Sequence, residues 1–122
     1  MDKRKQLKTE YKQAKSAAGI FMLRNNANGK ILVGSSLNLN GPLNRLRFEL
    51  STGMHKNRVL QEEWNRLGAE SFSFEIVDSF IPKDDPAFDT SAELAVLEEL
   101  WLEKLQPFGD KGYNTSSKIR QA

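Results

Sequence analysis

The sequence predicts an α+β domain: a small three-stranded mixed or antiparallel sheet flanked by helices. Three observations point there. Two short apolar and β-branched segments flank Asn26-Ala27-Asn28-Gly29, Phe72-Ser73-Phe74-Glu75-Ile76-Val77 alternates, and leucines and tryptophans recur at helical spacing between and after them. Strands and helices in that order settle most simply as one sheet with helices packed on it. A chain of 122 residues holds one domain with a real core and little room for a second.

Residues 2–15 read as a polar helix with Leu7, Tyr11 and Ala14 on a narrow apolar stripe. They carry Lys3, Arg4, Lys5, Lys8, Lys12 and Lys15, so residues 1–16 form a basic N-terminal helix or arm ahead of a domain over 17–122. Whether that arm meets DNA, mediates dimerisation or only solubilises is open. Ala18 to Asn25 and Lys30 to Gly34 form two strands of a hairpin, because the Asn- and Gly-rich link tolerates positive φ. Asn40 caps the next helix and Pro42 suits its first turn, with Leu43, Leu46 and Leu50 on one side.

Ser51-Thr52-Gly53 breaks that helix, and Asn57 caps another that runs through Leu60, Trp64 and Leu67 to Gly68. In the third strand Phe72, Phe74 and Ile76 share a face. After a Pro- and Asp-rich loop, Thr90 and Glu93 have the spacing of a capping box. Leu94, Leu97, Trp101 and Leu105 then make the stripe of a helix ended by Pro107.

Composition narrows the function classes. Cysteine is absent, which removes disulfides and thiolate zinc sites and suits a cytoplasmic protein. No apolar run approaches the roughly 20 residues that span a bilayer, and Met1-Asp2-Lys3-Arg4-Lys5 has no apolar segment behind it, so a soluble, non-secreted protein is expected. Net charge is only +2, yet it is uneven. Basic residues gather at the start and again at Arg24, Lys30, Arg45, Arg47, Lys56, Arg58 and Arg66, while Glu70 to Asp110 is mainly acidic. One face would then attract phosphate and another repel it. No Gly-rich phosphate loop, Cys/His cluster or Ser/His/Asp arrangement is present.

Gly19-Ile20-Phe21 and Leu32-Val33-Gly34 resemble the paired motif strands of the GIY-YIG nucleases. The likeness continues through Asn38-Leu39, Gly53-Met54-His55, Leu60-Gln61 with Trp64, Phe72-Ser73-Phe74-Glu75, Glu98 ahead of Trp101, and Gly112-Tyr113-Asn114. It covers nearly everything after residue 17. The resemblance implies endonuclease chemistry: phosphodiester hydrolysis with water as nucleophile, a divalent cation (Mg²⁺ or Mn²⁺) neutralising phosphate charge, and an arginine holding the phosphate. It also implies a nucleic-acid partner, DNA foremost.

Carried over by position, Glu98 matches the metal-binding glutamate, His55 matches a histidine of the homing-endonuclease branch, and Asn114 matches the closing asparagine. The tyrosine positions hold Phe21 and Leu32, which neither exchange a proton nor hold a water. Counting from Gly34 without gaps puts Pro42 at the arginine position and Leu46 at the histidine or tyrosine position. Arg45 lies one turn beyond Pro42 on the same helix face, and a small alignment gap would place it at the arginine position itself; it becomes the candidate phosphate ligand, unless it only pairs with Glu49. His55, the sole histidine, could serve as acid or base, phosphate donor or helix cap. Tyr113 is expected to be structural.

The candidate catalytic residues are therefore Arg45, His55 and Glu98, with Glu98 as metal ligand. Lys30, Arg45, Arg47, Lys56, Arg58 and Asn114 are the candidate nucleic-acid contacts. Three readings stand: a metal-dependent endonuclease, a non-catalytic DNA- or RNA-binding module on the same fold, or a protein-interaction domain. Oligomeric state is open.

Overall fold

A computed structural model describes residues 16–115. The expected helix at 2–15 and the tail from 116 onward lie outside the described residues. Within them run β1 (Ala18–Asn25), β2 (Ile31–Ser36), α1 (Pro42–Ser51), α2 (Arg58–Leu67), β3 (Phe72–Phe80) and α3 (Thr90–Leu105). The sheet order is β2-β1-β3 and both pairings are antiparallel, which removes the mixed alternative.

Strand parity divides the interior in two. Leu23, with the half-buried Phe21 and Leu32, faces α1 and α2 and packs with Leu46, Leu50, Leu60, Trp64 and Phe72. Ile20, Met22, Ile31 and Val33 face the other way, onto Leu94, Leu97, Trp101 and Leu105 of α3. The sheet is thus a middle layer, and β1 is buried along almost its whole length. The helical stripes expected on α1, α2 and α3 are the surfaces that meet it. Among the described residues no helix is long and apolar enough to cross a membrane.

Several local expectations are corrected. Asn40 does not cap α1; Gly41 holds the N-cap without a side-chain bond, and the Asn40 amide donates to Ser16 Oγ at 3.1 Å. On α3 the cap is Asp89, whose Oδ1 accepts the Ala92 N–H at 3.1 Å, so Thr90 is already helical and no capping box forms. Asn57 caps α2 as its position suggests, accepting the Leu60 N–H at 3.0 Å. Phe72, Phe74 and Ile76 share a face as expected, opposite Asn25, Leu23 and Phe21, although Ile76 is left uncovered there. The register shifts between Ile20 and Phe21, which pair with Asp78 and Ile76, so Val77 is skipped in the pairing. Val77 then packs on the α3 side, while Ile76 stays 43% exposed.

Both motif glycines have steric reasons. A Cβ on Gly19 would sit 2.1 Å from the Asp78 carbonyl oxygen, so glycine is what lets β3 approach β1 there. A Cβ on Gly34 would sit 2.5 Å from Phe21 Cζ; Phe21 pairs with Gly34 across the strands, and its ring tip occupies the space a side chain would take.

These contacts set an expected outcome. Gly19→Ala must push against backbone, and overpacking of this kind costs about 1–3 kcal/mol. Gly41→Ala, with open space around it, loses only the better N-cap residue and should cost less, within about 1 kcal/mol. Urea denaturation of the three proteins side by side measures both, and equal midpoints for all three would contradict the steric account.

Candidate active site

A cleft of about 540 Å³ opens where the middle of β1, strand β2, α1 and the loop after it meet. Its apolar lining is Phe21, Leu32, Pro42 and Leu46, and its polar lining includes Ser36, Asn38, Arg45, Glu49 and His55. The four positions at which the resemblance expects polar groups therefore do converge. In this chain they converge as an apolar floor.

Arg45 reaches the cleft from α1, with its side chain 81% exposed. Its Nε donates to Glu49 Oε2 at 3.3 Å, the i, i+4 pair the sequence suggests. So exposed a pair adds little stability. It offsets the charge of the one carboxylate lining the cleft and leaves the guanidinium Nη groups as donors.

His55 is held from both sides of its loop. Its backbone N–H donates to Gln61 Oε1 at 3.0 Å, and its Nδ1 accepts the Asn57 N–H at 3.0 Å. An accepting Nδ1 leaves the proton of the neutral ring on Nε2, so His55 offers the site a donor rather than a base. Its pKa is lowered from the ordinary histidine value, first by burial; the Glu49 charge opposes this and the Lys56 charge adds to it. The side chain is thus neutral at neutral pH and also steadies the entry to α2.

Glu98 approaches from the other side of the sheet. It sits half-buried on α3, and its Oε1 accepts the Ser35 hydroxyl at 2.9 Å. Ser35 also lines the cleft, whereas Glu98 does not. Arg45 and His55 are brought together; Glu98 touches their site only through Ser35. The sequence reading missed Ser35. Its signal was position, directly after Gly34 in the motif strand with the parity that faces α3.

The remaining candidate contacts are employed elsewhere. Both polar atoms of the Asn114 side chain engage the Val33 backbone: Nδ2 donates to the Val33 carbonyl at 2.8 Å and Oδ1 accepts the Val33 N–H at 2.9 Å. Lys30 pairs with Glu63 at 3.7 Å and lies 5.7 Å from the Tyr113 ring centroid. Arg47 stacks over Phe74 at 4.5 Å. Lys56 stands beside His55, and Arg58 is exposed at the start of α2, but neither lines the cleft.

A second polar cluster was not foreseen as a unit. Glu63 Oε1 accepts the Tyr113 hydroxyl at 2.5 Å and the Asn25 amide at 3.1 Å, and the same amide also donates to the Tyr113 oxygen at 3.1 Å. Burial and the neighbouring carboxylate push the Tyr113 hydroxyl up to about 12. For Glu63, burial acts upward, but the Tyr113 and Asn28 hydrogen bonds, the Lys30 charge and the Asn25 bond outweigh it and leave its pKa lowered. Tyr113 is structural, tying the closing segment to the hairpin.

The donor set decides the question of a cation. Among the described residues no three His, Cys, Asp or Glu side chains come together around a common point. Glu98 stands alone with one oxygen on Ser35, and the cleft floor supplies no hydroxyl at the tyrosine positions to hold a metal's waters. The floor therefore offers a cation no side-chain oxygen of its own, and Glu98 is a carboxylate beside it.

Comparison with solved structures agrees with the geometry. The fold is that of a nuclease catalytic domain. It matches the catalytic domain of the homing endonuclease I-TevI at 25% identity and TM-score 0.63, over 80% of this chain and 96% of that one. A mutant form of the intron endonuclease I-TevI catalytic domain matches at 23% identity and TM-score 0.64, over 80% and 92% of the respective chains. The chain has the GIY-YIG nuclease fold. No protein-family model and no curated protein matches it.

The histidine gives a pH signature. Its folded-state pKa lies below the unfolded value of about 6.5, so the unfolded chain takes up the proton first as pH falls. The stability tied to this group is complete above about pH 6.5 and is lost as pH drops through the folded value. Urea unfolding at pH 7.5 and 5.5 should show a decline that shrinks in His55→Gln. As His55 is the sole histidine, one imidazole resonance reports it, and a folded-state midpoint at or above 6.5 would contradict the assignment.

Proposed function

We propose that this chain binds nucleic acid through the cleft and has given up ordinary family hydrolysis. The observation behind this reading is the cleft itself: its rim keeps Arg45, the His55 N–H and Asn38, while Phe21, Leu32, Pro42 and Leu46 occupy the positions of the family's polar groups. A phosphate at the rim meets a guanidinium and a neutral N–H donor, a combination suited to holding charge. A water on the floor meets Phe21, Leu32, Pro42 and Leu46, none of which can take its proton. Losing a positioned acid or base typically costs about 10²–10⁴ in rate, and here several positions are lost together. The structural likeness to a homing endonuclease domain supports a nucleic acid, DNA first, as partner. The endonuclease reading keeps one residue in its favour, Glu98 beside Ser35 at the cleft's edge.

One set of assays tests both. Supercoiled, single-stranded and branched DNA, and RNA, are incubated with the purified protein in Mg²⁺ or Mn²⁺ beside Glu98→Gln and Arg45→Ala. Salt-sensitive binding without cleavage is expected, and Arg45→Ala should reduce the slope of log affinity against log salt by about 0.7–0.9, one phosphate contact. Nicking by the parent that Glu98→Gln abolishes would establish the enzyme instead. Absence of salt-sensitive binding to every substrate would leave protein interaction as the surviving reading.

A further inference from the structure

We infer that the cleft takes an unpaired nucleotide, its base on the apolar floor and its phosphate at the Arg45 and His55 rim. The inference rests on the nucleic-acid reading above and specifies the form of the ligand. Phe21, Leu32 and Pro42 are only half-buried, so each presents apolar surface to the cleft. A phosphodiester laid on that surface would lose hydration and find no donor. A nucleobase fits its chemistry better: its faces are apolar, and stacking on an aromatic ring needs no sequence-specific hydrogen bond.

The rim matches the rest of a nucleotide. Arg45 and the Nε2–H of His55 supply cationic and neutral donors for phosphate, and the Glu49 charge is already paired with Arg45. The Asn38 Oδ1 accepts the Asn40 N–H at 2.9 Å, which leaves the amide Nδ2 as a donor for a base edge. A volume of about 540 Å³ lies in the range of small-ligand sites and accommodates one nucleotide. A paired base cannot enter, because both its faces are covered by stacking and its edge by its partner. Duplex should therefore reach only the rim, while single-stranded, frayed or branched nucleic acid reaches the floor.

The test uses the full chain and four fluorescein-labelled probes of one sequence: single-stranded DNA, the same strand as duplex, the same strand with its central bases replaced by abasic residues, and single-stranded RNA. Anisotropy titrations at fixed salt should show intact single-stranded DNA or RNA binding about tenfold or more tighter than duplex or abasic strand, the scale of stacking one base. Phe21→Ala should erase that margin. Phe21→Leu, which keeps the apolar volume without the aromatic face, covers the case in which Phe21→Ala fails to fold; it should also narrow the margin. Equal binding of all probes, weakened alike by Arg45→Ala, would overturn the base site while leaving phosphate binding intact. No salt-sensitive binding by any probe would overturn both readings.

Discussion

Everything in this structure depends on β1 being enclosed. Its side chains are covered by helices on both faces, and its backbone is paired on both edges. A strand in that position has no polar surface to spare, and its two neighbours must come close enough to satisfy every N–H and carbonyl. Gly19 is the clearest expression of the constraint, since even a methyl group there would meet the backbone of β3. The hairpin, the two cores and the placement of the cleft all follow from β1 holding its two partners in register.

That dependence explains why the fold was legible in the sequence and the site only partly so. Strand β1 is read from Ala18 to Asn25 because a fully buried strand has to be apolar, and the helical stripes are read because each helix buries one side. The caps at Asn40 and Thr90 were misplaced because neighbouring Asx residues and glycine compete for the same few positions, and only the path of the chain decides among them. Ile76 lies on the face its alternation with Phe72 and Phe74 indicates, but its exposure was not legible, because what covers the end of a strand depends on distant elements. Within the site, Arg45 and His55 were found by charge and uniqueness. Ser35 was missed, and the double engagement of Asn114 with Val33 lay beyond reach, because both depend on contacts across a large part of the chain.

The cleft sets an apolar floor beneath a polar rim. Phe21, Leu32 and Leu46 sit where the core of the α1–α2 side reaches the surface, so apolar residues there extend the interior outward. Apolar residues there favour packing, and they bring no hydrogen-bonding side chain to the floor. The rim lies beyond the packed region and is free to stay polar. Apolar and polar groups thus occupy different layers of one cleft, the inner tied to the core and the outer to solvent.

The bond between Asn114 and Val33 bears on the order in which the molecule assembles. The two residues are 81 positions apart, yet among the described residues it is there, and at the adjacent bond from the Tyr113 N–H to the Ile31 carbonyl, that the outer edge of the hairpin's second strand is satisfied. During synthesis the hairpin emerges early and waits, one side unsealed, until the chain through residue 114 has left the ribosome. Pairings this distant in sequence carry the slow part of folding. The end of the domain is consequently its keystone in time as well as in space, and a nascent chain stopped just short of it would expose the strand that borders the cleft.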